Sequence, residues 1–247
     1  MHALMQARGE SRVIVNAVYI DFDGTISLED STDSLLTRYA DPRWLDVEAS
    51  WLRGEIGSRT CLQEQVSLLS LTPAELDSFV GSVAIDPGFV SFLALCRRLA
   101  LPVTVVSDGL DIVVQRVLRQ AGIDLPVVAN TLVHEGGQRW SLSFPHARAS
   151  CRAGSGNCKC ATVGPTSMPA QLGSVLIGDG QSDFCAAGVA GLVIAKGRLL
   201  RHCREQNINY RPFETFADIT NNFASWIGLQ AAIPQIFVPS PLPTVGR

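Results

Sequence analysis

Asp21, Asp23, Ser107, Lys159, Asp179 and Asp183 form a set of side chains whose types and spacing suggest one chemistry. They stand in DFDGT, VVSDG, CKC and GDGQSD, with the three acidic or hydroxyl-bearing motifs each placed just after an apolar run. Phosphoryl transfer spreads negative charge over equatorial oxygens and needs positioning and countercharge. One carboxylate of the first pair can attack phosphorus, giving a phosphoaspartate and two easier displacements. The other can protonate the leaving alkoxide and later deprotonate water. A two-residue spacing puts both on one side of an ideal strand, whereas a turn at Phe22 would set them at different angles. Gly24 permits close approach of backbone amides to phosphoryl oxygens. Asp179 and Asp183 offer hard oxygen ligands for Mg²⁺, which would offset repulsion between an anionic nucleophile and an anionic substrate. Ser107 can donate to a phosphoryl oxygen, and Lys159 supplies a mobile positive charge.

These residues need elements to hold them. Val13 to Phe22, Leu101 to Val106, Ser174 to Ile177 and Gly191 to Ala195 read as buried strands. Helical spacing separates them: four short helices from Ser31 punctuated by Pro42, Gly54, Gly57 and Pro73, a fifth opened by Pro87, then Ile112 to Gln120 and Leu199 to Gln206. Pro126 to Ala147 alternates around Glu135-Gly136-Gly137, a β-hairpin. The expectation is an α/β fold, a Rossmann-like doubly wound parallel sheet whose ligands bind beyond the carboxyl ends of the strands. Residues 1–30 and 99–230 would form the core domain, 31–98 an inserted helical cap, and 231–247 a Pro-rich tail suited to covering a neighbouring copy. Trp44 and Trp51, seven apart, read as one face packed in the cap interior.

A chain of 247 residues buries roughly 70–75% of its unfolded surface and needs no staples. Twenty basic against 23 acidic residues give a net charge of −3, which excludes a broad field for nucleic acid or anionic membrane. No apolar run reaches the ~18 residues of a membrane span. Only two of the basic residues are lysines, Lys159 and Lys196, and the second reads as ordinary. Seven cysteines, an odd number, and an opening stretch without a leader pattern point to a reducing cytoplasm. Cys151, Cys158 and Cys160 raise a zinc question, but C-x6-C-x-C without a CxxC pair reads as ordinary thiols. GDGQSD lacks the third glycine of a dinucleotide loop, no GxxxxGK[ST] occurs, and Ser107 has no GxSxG elbow.

DFDGT, VVS, a lone lysine and GDGQSD, in that order, resemble the haloacid dehalogenase superfamily over about Val13 to Phe223. The resemblance implies a nucleophile at Asp21, an acid/base at Asp23, and Mg²⁺ held by Asp21, the Asp23 backbone carbonyl and Asp179 with Asp183 in support. It implies phosphoryl binding by Ser107, Asp108 and Gly109 and a supporting charge at Lys159. The resemblance also implies a phosphatase from the aspartate at position 23, which the dehalogenase and ATPase branches of the superfamily lack. The helical cap is similar to that of the phosphoserine phosphatase subclass. IDPGF, CKC and CREQNINYRPFETFADI resemble the phosphatases of 2-hydroxy-3-keto-5-methylthiopentenyl-1-phosphate, and GDGQSDFC those of phosphocholine and phosphoethanolamine. Asp30 stands where phosphoserine phosphatases carry Glu, and Arg59 is the candidate for their cap arginine; both become substrate-binding candidates. A non-turnover phosphoacceptor module also pairs acids, a hydroxyl and a lysine around Mg²⁺, but lacks a helical cap.

Overall fold

The structure, a computed structural model, describes residues 13–151, 153–164 and 172–229. The expectations for the tail beyond Gln230 and most of the opening stretch lie outside the described residues.

β1 (Val13–Ile20) is the spine of the sheet. β5 (Leu172–Gly178) pairs with it in parallel from Ile14 to Ile20, occupying one whole edge. The other edge is shared: β8 (Ile227–Leu229) takes Val13–Val15 and β2 (Val103–Leu110) takes Val18–Ile20. Beyond β2 lie β3 (Val127–Gly136) and β4 (Arg139–Ser143); beyond β5 lie β6 (Leu192–Ala195) and β7 (Tyr210–Pro212). Every pairing is parallel except the β3–β4 hairpin, whose turn uses positive φ at Gly136 and Gly137. Val18, Ile20, Val105, Ile177 and Ile194 are fully buried, as expected of parallel strands covered on both faces. The in-register ends of β1, β2 and β5 then bring positions 21, 107 and 179 to one rim of the sheet.

Four helices follow β1: α1 (Ser31–Tyr39), α2 (Trp44–Leu52), α3 (Ser58–Ser67) and α4 (Pro73–Val80). α4 starts where Thr72 and Glu75 cap each other and Pro73 occupies the first turn. A bridge between Ser27 and Ile85 brings the chain's exit and return side by side. α5 (Phe89–Arg98), expected in the cap, instead packs on α10 (Phe216–Trp226). Phe89 and Phe92 lie 4.9 and 5.5 Å from the Phe216 ring, and Phe92 5.1 Å from Phe223. The buried Asp86 carboxylate ties the two helix starts together, accepting from Gly88 N at 2.7 Å and Phe216 N at 3.1 Å. The apolar stripe of α5 therefore covers the sheet side, and we propose that the cap ends near Ile85 rather than Arg98. Between these elements run α6 (Asp111–Gln120), α7 (Lys159–Val163), α8 (Phe184–Ala187) and α9 (Gly197–Glu205). No helix among the described residues is long and apolar enough to cross a membrane.

Phe216 is fully buried among three phenylalanines, so Phe216→Ala should cost about 3–5 kcal/mol in a urea unfolding titration. A loss below about 1 kcal/mol would contradict the packing described.

Candidate active site

β1 stops at Ile20, and the Asp21 amide adds one more ladder bond, 2.9 Å to Ile177 O. The chain then turns tightly. Phe22 is buried as an anchor, its carbonyl accepting both the Ser27 amide and hydroxyl at 3.0 Å. Gly24 has φ +69°, and a Cβ there would sit 2.7 Å from Asp179 Oδ2, so both conformation and space require glycine. The turn, not an ideal strand, sets the two aspartates at different angles. Asp21 Oδ1 accepts its neighbour's amide, Phe22 N, at 2.8 Å.

Lys159 opens the one-turn helix α7 and is buried with its ammonium among acids. Its Nζ lies 2.7 Å from Asp21 Oδ1, 2.7 Å from Asp183 Oδ1 and 3.0 Å from Ser182 Oγ. Burial opposes the lysine's charge, but Asp183 and Asp21 overcome it and hold Lys159 protonated well above its ordinary range. Burial raises the Asp21 carboxyl well above the usual carboxylate range, reinforced by Asp183 and opposed by Lys159. Asp179 is raised by burial and by Asp183, while the Thr25 hydroxyl, 3.2 Å from Asp179 Oδ1, pulls it down. Oxygens of Asp21, Asp179 and Asp183 lie within 4.8 Å of one another. One lysine leaves these three carboxylates short of positive charge, and their hard oxygens fit a divalent cation.

Asp23 points the other way. Its Oδ1 accepts the Ser31 amide at 2.8 Å and hydroxyl at 2.5 Å, at the start of α1, and Ser107 Oγ lies 3.4 Å from Oδ2. Burial raises the Asp23 carboxyl, and the Ser31 bonds oppose that rise. Ser107 is itself oriented by the Gly109 amide, 2.9 Å from Oγ. A Cβ on Gly109 would meet Asp23 Oδ2 and Thr32 Oγ1, so glycine is required by space. Asp108 is fixed by the Ser58 hydroxyl at 2.7 Å, the Asn157 amide at 3.0 Å and the Asn130 side chain at 3.2 Å. Asn157 Nδ2 also reaches Ser107 O and Val128 O, both at 2.8 Å. The β2 end is thus built from three distant segments.

A cavity of about 620 Å³ opens above these groups. Its wall carries Asp21, Asp23, Glu29, Asp30, Asp33, Glu48, Asp108, Asp179 and Glu214 against Lys196 and Arg198, with apolar surface from Leu28, Trp51 and Leu62. Asp30 caps α1, accepting from Asp33 N at 2.9 Å. Crowding by the cavity walls, then the charges of Asp23 and Asp33, push its carboxyl well above the usual range. Asp33 is raised to about 6 by burial, Glu48 and Asp23, against Arg198. Trp44 is buried, but Trp51 faces the cavity, contrary to the reading of both as cap interior. Lys196, read as ordinary, also faces it, with Nζ 5.1 Å over the Phe213 ring. Arg59 is exposed on α3 and is not part of the cavity wall; its amide bonds Gly154 O at 3.1 Å. The structure thus gathers Asp21, Asp23, Ser107, Asp108, Gly109, Lys159, Asp179 and Asp183 at one rim with Asp30 above them, and leaves Arg59 outside.

Removing the lysine should leave buried carboxylates uncompensated. Lys159→Met is expected to destabilise by about 3–5 kcal/mol in urea titrations, and adding Asp183→Asn should recover part of that loss. A double variant no more stable than the single would contradict the ion-pair reading. Asp33 binds its proton up to about pH 6 folded, against about 3.9 unfolded. Stability therefore falls as pH rises between about 4 and 6, and the full penalty stands above 6. Asp33→Asn should raise Tm above pH 6 and leave it unchanged below pH 4; equal shifts at both would refute the assignment.

Comparison with known proteins matches residues 18–188 to haloacid dehalogenase-like hydrolases. A 2-hydroxy-3-keto-5-methylthiopentenyl-1-phosphate phosphatase of Exiguobacterium sp. (strain ATCC BAA-1283 / AT1b) is 31% identical over 206 residues, 82% of this chain and 94% of that protein. One of the same name from Brevibacillus brevis is 29% identical over 82% of this chain and 92% of its own. Among solved structures, a phospho-aspartyl intermediate analogue of phosphoserine phosphatase superposes with TM-score 0.64 at 19% identity, covering 88% of this chain and all of that one. At that identity the likeness is one of fold. The chain is a phosphatase and belongs to the haloacid dehalogenase-like hydrolases.

Proposed function

We propose that the protein is a Mg²⁺-dependent phosphomonoesterase that hydrolyses a small phosphorylated metabolite through a phosphoaspartate at Asp21. The observation that carries this reading is the division of labour between the two aspartates. Asp21 Oδ1 is taken up by Phe22 N and Lys159, which leaves Oδ2 to attack phosphorus. Asp23 Oδ1 is held by Ser31, which leaves Oδ2 to carry a proton, and burial favours its protonated form.

In the first step Asp21 Oδ2 forms a bond to phosphorus as the ester P–O bond breaks, and Asp23 gives its proton to the departing oxygen. In the second, water attacks phosphorus and loses a proton to Asp23, the P–O bond to Asp21 breaks, and inorganic phosphate leaves. Ser107 Oγ, oriented by the Gly109 amide, would donate to a phosphoryl oxygen. Asp21, Asp179, Asp183 and the Asp23 carbonyl would hold Mg²⁺, which supplies positive charge against the anionic phosphoryl group. Lys159 orients the nucleophile and opposes the rise that burial imposes on its carboxyl.

For the leaving group, the names of the relatives support 2-hydroxy-3-keto-5-methylthiopentenyl-1-phosphate. Carboxylates in the cavity wall can accept from its hydroxyls, and Leu28, Trp51 and Leu62 offer apolar surface to a thioether. The acidic wall with Trp51 favours a second reading, a cationic leaving group as in phosphocholine or phosphoethanolamine. A phosphoserine carboxylate would meet that acidic wall without Arg59. We place the enzyme in the cytoplasm, in keeping with its free cysteines.

Phosphate release from these four esters with and without Mg²⁺ tests the reading: the methylthiopentenyl ester should give the highest kcat/KM, and a larger value for phosphocholine would establish the second reading. Asp21→Asn should lose activity by a factor on the order of 10⁴ or more. Asp23→Asn should lose about 10²–10⁴-fold on alkyl esters and much less on p-nitrophenyl phosphate, whose leaving group needs no proton. Equal losses on both ester types would remove Asp23 from the acid role.

A further inference from the structure

Among the described residues, three buried side-chain oxygens find no hydrogen-bond partner: Asn130 Oδ1, Asn157 Oδ1 and Thr32 Oγ1. A buried polar atom left unpaired costs stability, so native structures keep few of them. The two asparagines use their amide nitrogens to hold Asp108 and Ser107 and are not part of the cavity wall. Thr32 alone of the three lines the cavity.

Its surroundings fix where the hydroxyl lies. Thr32 is the second residue of α1, and its neighbours are held on both sides. Ser31 gives its amide and hydroxyl to Asp23, and Asp33 gives its amide to the capping Asp30. A threonine inside a helix can turn its hydroxyl onto the carbonyl four residues back, but position 28 lies outside α1 and Thr32 makes no such bond. The hydroxyl meets the end of β2 instead. A Cβ built on Gly109 would stand 2.5 Å from Asp23 Oδ2, 2.9 Å from Thr32 Oγ1 and 3.1 Å from Ser107 Oγ. Three oxygens from three segments thus surround one point, and the glycine keeps the space between them clear.

Their chemistry separates them. In the roles proposed above, Asp23 Oδ2 carries the proton of the reaction and Ser107 Oγ donates to the phosphoryl group. Thr32 Oγ1 has no such task, yet a hydroxyl can accept as well as donate. The water of the second step carries two hydrogens. One goes to Asp23, and the other needs an acceptor that stays in place while the oxygen advances on phosphorus. Thr32 Oγ1 offers that acceptor beside Asp23 Oδ2, and two fixed partners aim the water where one would let it swing.

We propose, resting on the phosphoaspartate reading above, that the Thr32 hydroxyl accepts from the water that hydrolyses the Asp21 phosphate and so positions it. The water oxygen bonds to phosphorus as the bond from phosphorus to Asp21 Oδ2 breaks. One hydrogen passes to Asp23 Oδ2 as a proton. The other stays on the oxygen, hydrogen-bonded to Thr32, and leaves with inorganic phosphate. Thr32 keeps its own proton throughout.

Thr32→Val removes the hydroxyl and keeps the shape, whereas Thr32→Ser keeps the hydroxyl. The substrate for the test is ³²P-labelled p-nitrophenyl phosphate with Mg²⁺, whose leaving group needs no proton, so only the second step responds. Thr32→Val should lower steady turnover by about 10–10²-fold while the fraction of enzyme trapped in acid as phosphoaspartate rises toward one. Thr32→Ser should recover most of that loss. The Tm of Thr32→Val should stay level or rise by up to about 2–4 °C, because an unpaired buried hydroxyl has gone. Wild-type turnover in Thr32→Val, a slower rate without accumulated phosphoaspartate, or a fall in Tm would each overturn the proposal. The same gels separate the two readings. No phosphoaspartate in either protein would refute the covalent mechanism and this role with it, whereas label in both without a rise in the variant would refute the role of Thr32 alone.

Discussion

A buried ammonium between two buried carboxylates governs this structure. Lys159 has almost no access to solvent, and neither do Asp21 and Asp183. Removing such charges from water costs several kcal/mol each, and the cost is offset only if the partners stay in hydrogen-bonding geometry. The rim is therefore an ordered lattice. Asp21 is held by the β1–β5 ladder, Asp183 by the turn after β5, and Lys159 by the single turn of α7. With Asp179 the acids still outnumber the base, so the rim carries a standing demand for positive charge next to the place where a phosphoryl group would sit.

The second aspartate follows a different rule. Asp23 is anchored not to the core but to Ser31, the first residue of the helical insertion. The Ser27–Ile85 bridge beside it makes this the neck through which the insertion leaves and returns. In the role proposed for it, Asp23 would carry its proton from a position fixed to that neck. Asp33, Glu48 and Trp51 of the same segment join Asp30 in the cavity wall, where burial first and neighbouring acids next raise the Asp30 and Asp33 carboxyls. Acids retained under such mutual repulsion point to a substrate that uses them.

The meeting of the candidate residues at one rim was legible in the sequence because parallel strands buried on both faces read as unbroken apolar runs and those residues stand where each run ends. DFDGT, SDG and GDGQSD could be found by that rule alone. α10 was not, although Thr215 and Asp218 form a capping box ahead of Phe216, Ile219 and Phe223 at helical spacing. Asn130 and Asn157 carry no local signal; their role exists only once residues 107, 128 and 157 are brought together. The cap was least readable. A helical period fixes which residues share a face, as it does for Trp44 and Trp51, but not which part of that face meets a cavity rather than a core. The same limit applies to Arg59, which lies outside the cavity wall, and to Lys196, which lies in it.

Trapping the covalent intermediate tests the mechanism most directly. Enzyme mixed with ³²P-labelled substrate is quenched in acid within one turnover and its peptides are mapped. Label should appear on Asp21 as an acyl phosphate, form at least as fast as turnover, and disappear as inorganic phosphate is released. Turnover with no labelled protein, label on another residue, or an Asp21 phosphate that persists without releasing phosphate would contradict it.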